Sequence, residues 1–163
     1  PPRPFGLGVR LGYLTNFGKL SAPLVGLDAD WHPRWLRRRL AIGIGLGVYH
    51  ATYGSDTTAA LTITGVPLLV RVGFAQPLGR FAVSVGIGGG ALIARVGVAS
   101  TSGGDAASTI TLGAFDARVG ADAALGPGRL GLEVGYLYAP RAQAAISGNF
   151  GGLTITAGYR VGL

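Results

Sequence analysis

The sequence predicts an all-β fold, a transmembrane antiparallel up-and-down β-barrel of eight strands. Apolar residues alternate with glycine or other small residues at a period of two, the spacing of one face of a β-strand. Hydrophobic residues make up 48% of the chain and charged residues only 13%, whereas a soluble domain has roughly 25% charged residues. No apolar run approaches the roughly 18 residues of a membrane-spanning helix. Closed strands are then the remaining way to cross a bilayer.

Eight stretches of alternation are separated by turn signals about every 20 residues. The predicted strands are 5–13, 23–31, 40–50, 66–74, 81–88, 115–125, 130–138 and 153–163. An even number of strands returns both termini to one side, which we expect to be the periplasm. Connections after the second, fourth and sixth strands are short or basic, and those after the third, fifth and seventh are longer and polar. Short periplasmic turns and long outer loops are typical of such barrels.

Two changes in the alternation predict local irregularities. Leu61 and Ile63 are out of phase with the strand that follows, which predicts a β-bulge near 64–66. A second change of phase falls between Leu112 and Phe115.

The two faces of the predicted strands differ in composition. One carries large apolar residues and the other mostly Gly, Ala, Ser and Thr with a few charges, which suits a narrow lumen better than a solvated surface. Inward glycines concentrate on the odd-numbered strands, as in LAIGIGLGVYH at 40–50, and most inward charges on the even-numbered ones. We therefore expect the bare strands to make room for long side chains from their neighbours and to permit the curvature of a small barrel.

The inward charges nearly balance, and buried charges are tolerated only when paired. The sequence therefore predicts an ion-pair network in the half of the lumen nearer the termini. Its members are Arg10, Asp28, Asp30, Arg71, Asp116, Arg118, Asp122, Glu133 and Arg160. Because eight strands enclose little more than their own side chains, we expect negligible passive conduction.

Aromatic residues cluster near the ends of the predicted strands, where bilayer interfaces select them. Those expected at the periplasmic rim are Phe5, Trp31, Phe74, Phe81 and Tyr159, and those at the outer rim are Tyr13, Tyr136 and Tyr138. A basic turn, RWLRRR at 34–39, contributes Arg34, Arg37, Arg38 and Arg39. It is either a solvated turn or a contact for anionic headgroups or a periplasmic partner.

Other chemistries find weaker support. The formal net charge of +7 comes from dispersed arginines rather than from one basic stripe, so no nucleic acid is expected. There is no cysteine, and the two histidines are distant, so neither a metal nor another cofactor is expected. His32 precedes Pro33 in a turn and is expected to be solvated. A lipid hydrolase with His50 as base, near Ser55 and Asp56, is one alternative, and a soluble ligand-binding barrel is another.

The chain resembles the small eight-stranded bacterial outer-membrane barrels, the OmpA/OmpX-like group, over essentially its whole length. The most specific part of the resemblance is the last strand, LTITAGYRVGL, although Leu163 replaces the C-terminal aromatic residue typical of the group. The resemblance implies a location in the bacterial outer membrane, with its lipids and the barrel assembly machinery as partners.

One barrel domain is expected over 1–163, with 1–4 as the end of a linker or the mature N-terminus. The chain begins at Pro1 without a signal peptide, so we expect an export signal or an upstream domain before it. The expected function is that of a non-enzymatic membrane anchor or scaffold. Its outer loops would be used for interaction, and a periplasmic or envelope-complex protein is a candidate partner.

Overall fold

The computed structural model describes residues 4–17, 20–34, 39–55, 59–100, 106–143 and 146–163. Within these ranges the chain forms ten strands. They are β1 (Phe5–Thr15), β2 (Ser21–Trp31), β3 (Leu40–Ser55), β4 (Ala59–Leu78), β5 (Phe81–Ser100), β6 (Ala106–Leu125), β7 (Gly128–Tyr138), β8 (Pro140–Gln143), β9 (Ile146–Asn149) and β10 (Gly152–Gly162). Strands β1–β7 and β10 close an antiparallel barrel, and β8 pairs with β9 in a separate hairpin. The predicted fold, a closed all-β barrel of eight strands, is confirmed.

The beginning of β1 and the end of β10 lie at one end of the barrel, which we call the terminal end; the opposite end is the far end. At the terminal end the Leu163 amide donates to the Phe5 carbonyl oxygen at 2.8 Å, which extends the ladder that closes the barrel. Two tight turns at this end contain Gly79 and Gly126, with φ of 68° and 58°. A side chain at either position would strain the backbone.

Strands β3–β6 are longer than predicted, at 16–20 residues against 11 for β1 and β2. They form a wall that rises beyond the shorter strands at the far end. The loops predicted at 52–58 and 100–109 are therefore partly strand, because antiparallel pairing continues through Thr52 opposite Thr62 and Val96 opposite Ser108. Within the described residues, no helix is long and apolar enough to cross a membrane.

Both irregularities predicted from changes of phase were wrong. The pairing of β4 with β5 is continuous from Ala59 to Leu78, and that of β5 with β6 is continuous from residue 112 to 115. Ile63 lies on the same inward face of β4 as Arg71, and Leu112 on the same face of β6 as Asp116. At this height the inward residues change from charged to apolar. The sequence therefore has apolar residues at inward positions here, which is the same pattern that a change in the phase of the alternation would give.

Apolar side chains fill the far half of the lumen and are at most 9% exposed. They are Leu14, Leu20, Ala22, Tyr49, Ala51, Ile63, Leu69, Leu92, Ala94, Val96, Ala114, Leu137, Ala139 and Phe150. The outer face of the barrel is also apolar: Leu11 is 61% exposed, Ile87 68% and Leu132 65%. An apolar surface of this extent is unfavourable in water, so it must be in contact with something other than this chain.

Candidate functional site

The nine charged residues that the sequence placed in the lumen all lie inside the barrel, between the terminal end and the apolar layer, and each contacts an opposite charge. Strands β1, β2, β4, β6, β7 and β10 supply them. None of them is exposed, although Arg160 keeps 34% of its side-chain surface. The alternation of the strands and the closure of the sheet together bring these residues into one cluster.

The centre of the network is Asp28, which lies between two arginines. Its Oδ1 accepts hydrogen bonds from Arg10 Nη2 at 2.9 Å and from Arg71 Nη1 at 2.6 Å. Arg71 also donates through Nε to Asp116 Oδ2 at 3.1 Å. The side chains of Asp28, Arg71 and Asp116 are only 6%, 11% and 9% exposed, so these charges neutralise one another rather than being solvated.

Glu133 lies close to three arginines, one of which is Arg10. Its Oε2 accepts hydrogen bonds from Arg10 Nη1 and Arg118 Nη1, both at 3.2 Å. Its Oε1 lies 4.0 Å from Arg160 Nη2, and Arg160 Nε in turn lies 3.3 Å from Asp30 Oδ1. The network thus runs from the middle of the lumen to the terminal end.

Two members were missed in the sequence. Arg129 pairs with Asp122, and His32 pairs with Asp30. The expectation that His32 is solvated was wrong, since its side chain is only 20% exposed. The phase of the alternation could have revealed both, because His32 lies two residues after the inward Asp30 and Arg129 two residues before the inward Gly131.

The network is electrically balanced within the described residues. Five arginines meet five acids, namely Arg10, Arg71, Arg118, Arg129 and Arg160 with Asp28, Asp30, Asp116, Asp122 and Glu133. These ten charges cancel, so the formal net charge of +7 is carried by residues outside the network.

Several ion pairs pass over a glycine of the strand that lies between the two partners. Arg71 on β4 reaches Asp28 on β2 across Gly45 of β3, where an added Cβ would lie 2.6 Å from the Arg71 Cζ atom. Arg71 also reaches Asp116 on β6 across Gly88 of β5, whose added Cβ would lie 2.8 Å from Arg71 Cγ. The glycine-rich strands therefore give the lumen the room that the arginines occupy.

Arg10 and Arg160, on the other side of the barrel, also reach their partners across a glycine of the intervening strand. Arg10 on β1 reaches Glu133 on β7 across Gly158 of β10, where an added Cβ would lie 2.7 Å from Arg10 Cγ. Arg160 on β10 reaches Asp30 on β2 across β1, where an added Cβ at Gly6 would lie 2.9 Å from Asp30 Oδ2.

The cavities left between the charges are small. Three of them, lined by members of the network within the described residues, have volumes of about 40–50 Å³ each. Such a volume accommodates one or two water molecules, whereas pockets for small organic ligands measure roughly 300–1,000 Å³.

The connection from β7 to β10 packs against the apolar layer through Phe150. Tyr49 is 1% exposed, and its hydroxyl donates to the Phe150 carbonyl oxygen at 2.6 Å. The Phe150 ring is itself buried in the apolar layer. Asn149 Oδ1 accepts from the amides of Ala139 and Gly151 at 2.7 and 3.1 Å, which fixes the turn around Phe150.

Replacing Tyr49 by phenylalanine should destabilise the barrel by about 1–3 kcal/mol, because the buried Phe150 carbonyl loses its hydrogen bond. Urea unfolding in detergent micelles measures this effect. Tyr138→Phe is the matched control: this tyrosine is 48% exposed on the outer face, and its substitution should change stability by less than about 0.5 kcal/mol. Equal effects of the two substitutions would show that this hydrogen bond does not stabilise the barrel.

The aromatic residues predicted at the rims lie on the outer face at both ends of the barrel. Those at the terminal end are Phe5, Trp31, Phe74, Phe81 and Tyr159, and those toward the far end are Tyr13, Tyr136 and Tyr138. Seven are at least 42% exposed; Tyr159 is half-buried, and its hydroxyl donates to the Leu125 carbonyl oxygen at 2.9 Å.

The remaining candidates do not form a site within the described residues. Arg34 of the basic turn is exposed and Arg39 half-buried at the terminal end, whereas Arg37 and Arg38 lie outside the described residues. His50 faces outward, and its Nδ1 lies 2.8 Å from Thr64 Oγ1. Only the backbone of Ser55 is described, and Asp56 lies outside the described residues.

Comparisons with known proteins support the fold. No protein-family model matches the chain, and no curated sequence matches it. The chain is similar to the crystal structure of Neisserial surface protein A (NspA), with a TM-score of 0.60 and 17% identity over 98% of this chain and 96% of that one. It is also similar to Ail, the attachment invasion locus protein of Yersinia pestis, in complex with the heparin analogue sucrose octasulfate. That match has a TM-score of 0.54 and 11% identity over 96% of each chain.

At these identities the likeness concerns the fold. NspA and Ail are small outer-membrane barrels of eight strands, and their alignments span nearly the whole of this chain. The chain therefore has the fold of the small eight-stranded outer-membrane β-barrels, as the resemblance of its sequence implied.

Proposed function

We propose that this protein is a non-enzymatic barrel of the bacterial outer membrane, a membrane anchor or scaffold that presents its far end for interaction. The observation that carries the proposal is the arrangement of its surfaces. Charges are paired inside the lumen, and large apolar side chains such as Leu11, Ile87 and Leu132 point outward. A water-soluble barrel would have the opposite arrangement.

The dimensions of the outer apolar surface support the same proposal. On β1 the aromatic residues Phe5 and Tyr13 bound a nine-residue stretch whose outward residues are apolar. A tilted strand needs about 9–11 residues to cross the hydrocarbon core. Lipids of the outer membrane are the proposed surroundings of this stretch, and the barrel assembly machinery is the proposed partner during insertion.

The proposed orientation places the terminal end in the periplasm and the far end outside the cell. Two-residue turns at 79–80 and 126–127 connect strands at the terminal end, and the rising wall of β3–β6 lies at the far end. This distribution agrees with the short periplasmic turns of outer-membrane barrels. Exposed Arg34 of the basic turn, at the terminal end, would face anionic headgroups or a periplasmic partner.

Surface labelling tests this proposal, because the chain has no cysteine of its own. Thr52→Cys introduces an exposed thiol at the far end and Arg80→Cys an exposed thiol at the terminal end. A membrane-impermeant maleimide should label the first variant on intact cells, and the second only after the outer membrane is permeabilised. Labelling of Arg80→Cys alone on intact cells would reverse the orientation, and recovery of both proteins outside the membrane fraction would overturn the proposal.

We expect the purified protein to form no steady conductance in planar lipid bilayers. The ion-pair network and the apolar layer occupy the lumen in series, and the network leaves cavities for only a few water molecules. The matched comparison is a Tyr49→Ala, Leu92→Ala variant, which removes two side chains buried in the apolar layer. Steady nanosiemens-scale channels from the native protein would contradict a closed lumen.

The alternative functions have less support. Every acid among the described residues belongs to the lumen network, so within this part of the chain no carboxylate orients the His50 imidazole on the outer face. A histidine base for a hydrolase normally needs such an orienting group. Loss of lipid deacylation in His50→Ala would be needed to favour the hydrolase, and solubility without detergent would favour a soluble ligand-binding barrel.

A further inference from the structure

A row of polar side chains crosses the outer face of four adjacent strands along one line of cross-strand pairs. His50 on β3 is paired with Thr64 on β4, Thr64 with Arg95 on β5, and Arg95 with Thr109 on β6. We call these four residues the outer polar row. Cross-strand partners have Cβ atoms about 4.5–5.5 Å apart, so the side chains form one continuous surface. His50, Arg95 and Thr109 are exposed, and Thr64 is partly exposed.

On β3, β4 and β5 the outer polar row marks the upper limit of the apolar outer surface. Two residues nearer the terminal end, the outward side chains of these strands are Val48, Val66 and Ile93, whereas on β6 the polar surface extends to Thr111, the partner of Ile93. Two residues further toward the far end, Thr52 and Thr62 continue the polar surface. In the proposed membrane orientation, the row therefore borders the apolar region of the leaflet at the far end, where the lipid headgroups begin.

The chemistry of the outer polar row favours an anion. Arg95 contributes a guanidinium, and the threonine hydroxyls and the His50 imidazole contribute further hydrogen-bonding groups. The contact between His50 Nδ1 and Thr64 Oγ1, at 2.8 Å, fixes two of these groups beside each other. All acids of the described residues lie in the lumen, so within this part of the chain no carboxylate competes for Arg95. A guanidinium fork binds phosphate oxygens in pairs.

We propose that the outer polar row binds the phosphate group of a phosphorylated lipid headgroup, with Arg95 as the charged ligand and Thr64 and Thr109 as hydroxyl partners. The acyl chains would then lie against the apolar surface around Val66 and Ile93. The adjacency of an anion-binding row and an apolar surface distinguishes a lipid from a free anion. The inference rests on the proposed membrane barrel and assigns it a lipid site.

Binding of dioleoylphosphatidic acid to the folded protein in a non-ionic detergent tests the proposal. Since a hydrogen bond to a charged group contributes about 1.5–3 kcal/mol, Arg95→Gln should weaken binding about tenfold or more. Thr64→Val, which keeps the branched shape and removes the hydroxyl, should weaken it by a smaller factor. Arg80→Gln is the matched control, because Arg80 is an exposed arginine at the opposite end. The affinity of this variant for dioleoylphosphatidic acid should remain within about twofold of the native value.

Two further ligands separate the possible sources of the phosphate. Dioleoylglycerol, which has the chains without the phosphate, should not bind measurably, and inorganic phosphate should not displace the lipid at equal concentration. Native affinity in Arg95→Gln, or equal affinity for inorganic phosphate and phosphatidic acid, would overturn the proposal. The measurement is made in micelles, so its failure is distinguishable from a failure of the proposed location or orientation, which surface labelling reports.

Discussion

Replacing Gly45 by leucine is expected to lower the free energy of unfolding by about 3 kcal/mol or more, because it overpacks the lumen and breaks a buried ion pair. An added Cβ at Gly45 would lie 2.6 Å from Arg71 Cζ and 3.0 Å from Asp28 Oδ1. The side chain would thus occupy the space through which Arg71 reaches Asp28. Urea unfolding of the refolded protein, together with the fraction that shows heat-modifiable gel mobility, measures the loss.

The adjacent residue supplies the control. Ile44 is 57% exposed on the outer face, and Ile44→Leu conserves volume, so it should cost less than about 1.5 kcal/mol. Gly45→Ala should have an intermediate effect. If Ile44→Leu were as damaging as Gly45→Leu, the inner and outer faces assigned to β3 would be reversed.

Neutralising Asp28 is the second substitution with a large expected effect. Asp28→Asn keeps the shape of the side chain and leaves Arg10 and Arg71 without their shared carboxylate. Removing one partner of a buried ion pair costs about 3–5 kcal/mol. Here Arg10 and Arg71 keep Glu133 and Asp116 as partners, but the network is left with one buried positive charge in excess. The free energy of unfolding in urea should fall by an amount in this range.

Asp122→Asn is the matched control within the same network. Asp122 pairs with Arg129, and the two side chains are 20% and 38% exposed. Water can therefore solvate the charge that remains on Arg129, and the free energy of unfolding should fall by no more than about 1 kcal/mol. The double variant Asp28→Asn, Arg71→Gln should be more stable than the sum of the single effects indicates, since it removes a buried charge together with its partner. Equal effects of Asp28→Asn and Asp122→Asn would mean that water solvates the centre of the network as well as its edge.

The alternation of residues was sufficient to predict the barrel, because a strand with one apolar face and one small, sparsely charged face has few other stable environments. Asp28 and Arg71 could be placed in the lumen by counting residues within single strands. Their contact could not be predicted in the same way, since it depends on the register between β2, β3 and β4. Alternation carries no information on that register.

The far end was predicted less well, for a physical reason that concerns the lumen face. Ile63 and Leu112 give the pattern of an altered phase, although they belong to an apolar layer on the inward face. The hairpin of β8 and β9 left no signal in the alternation, because its strands have only four residues each. Its neighbour Phe150 is buried among residues distant in sequence, such as Leu14 and Leu92.

The ion pairs that pass over a glycine have a consequence for the order of folding. Arg71 with Asp28, Arg71 with Asp116 and Arg10 with Glu133 join strands separated by another strand. In a sheet such strands are almost 10 Å apart, so none of these contacts forms within an isolated hairpin. Arg71 with Asp28 and Arg71 with Asp116 each need three adjacent strands, whereas Arg10 with Glu133 also needs the pairing of β1 with β10 that closes the barrel. Neutralisation of the charges should therefore follow the assembly of the sheet and be complete only when the barrel closes.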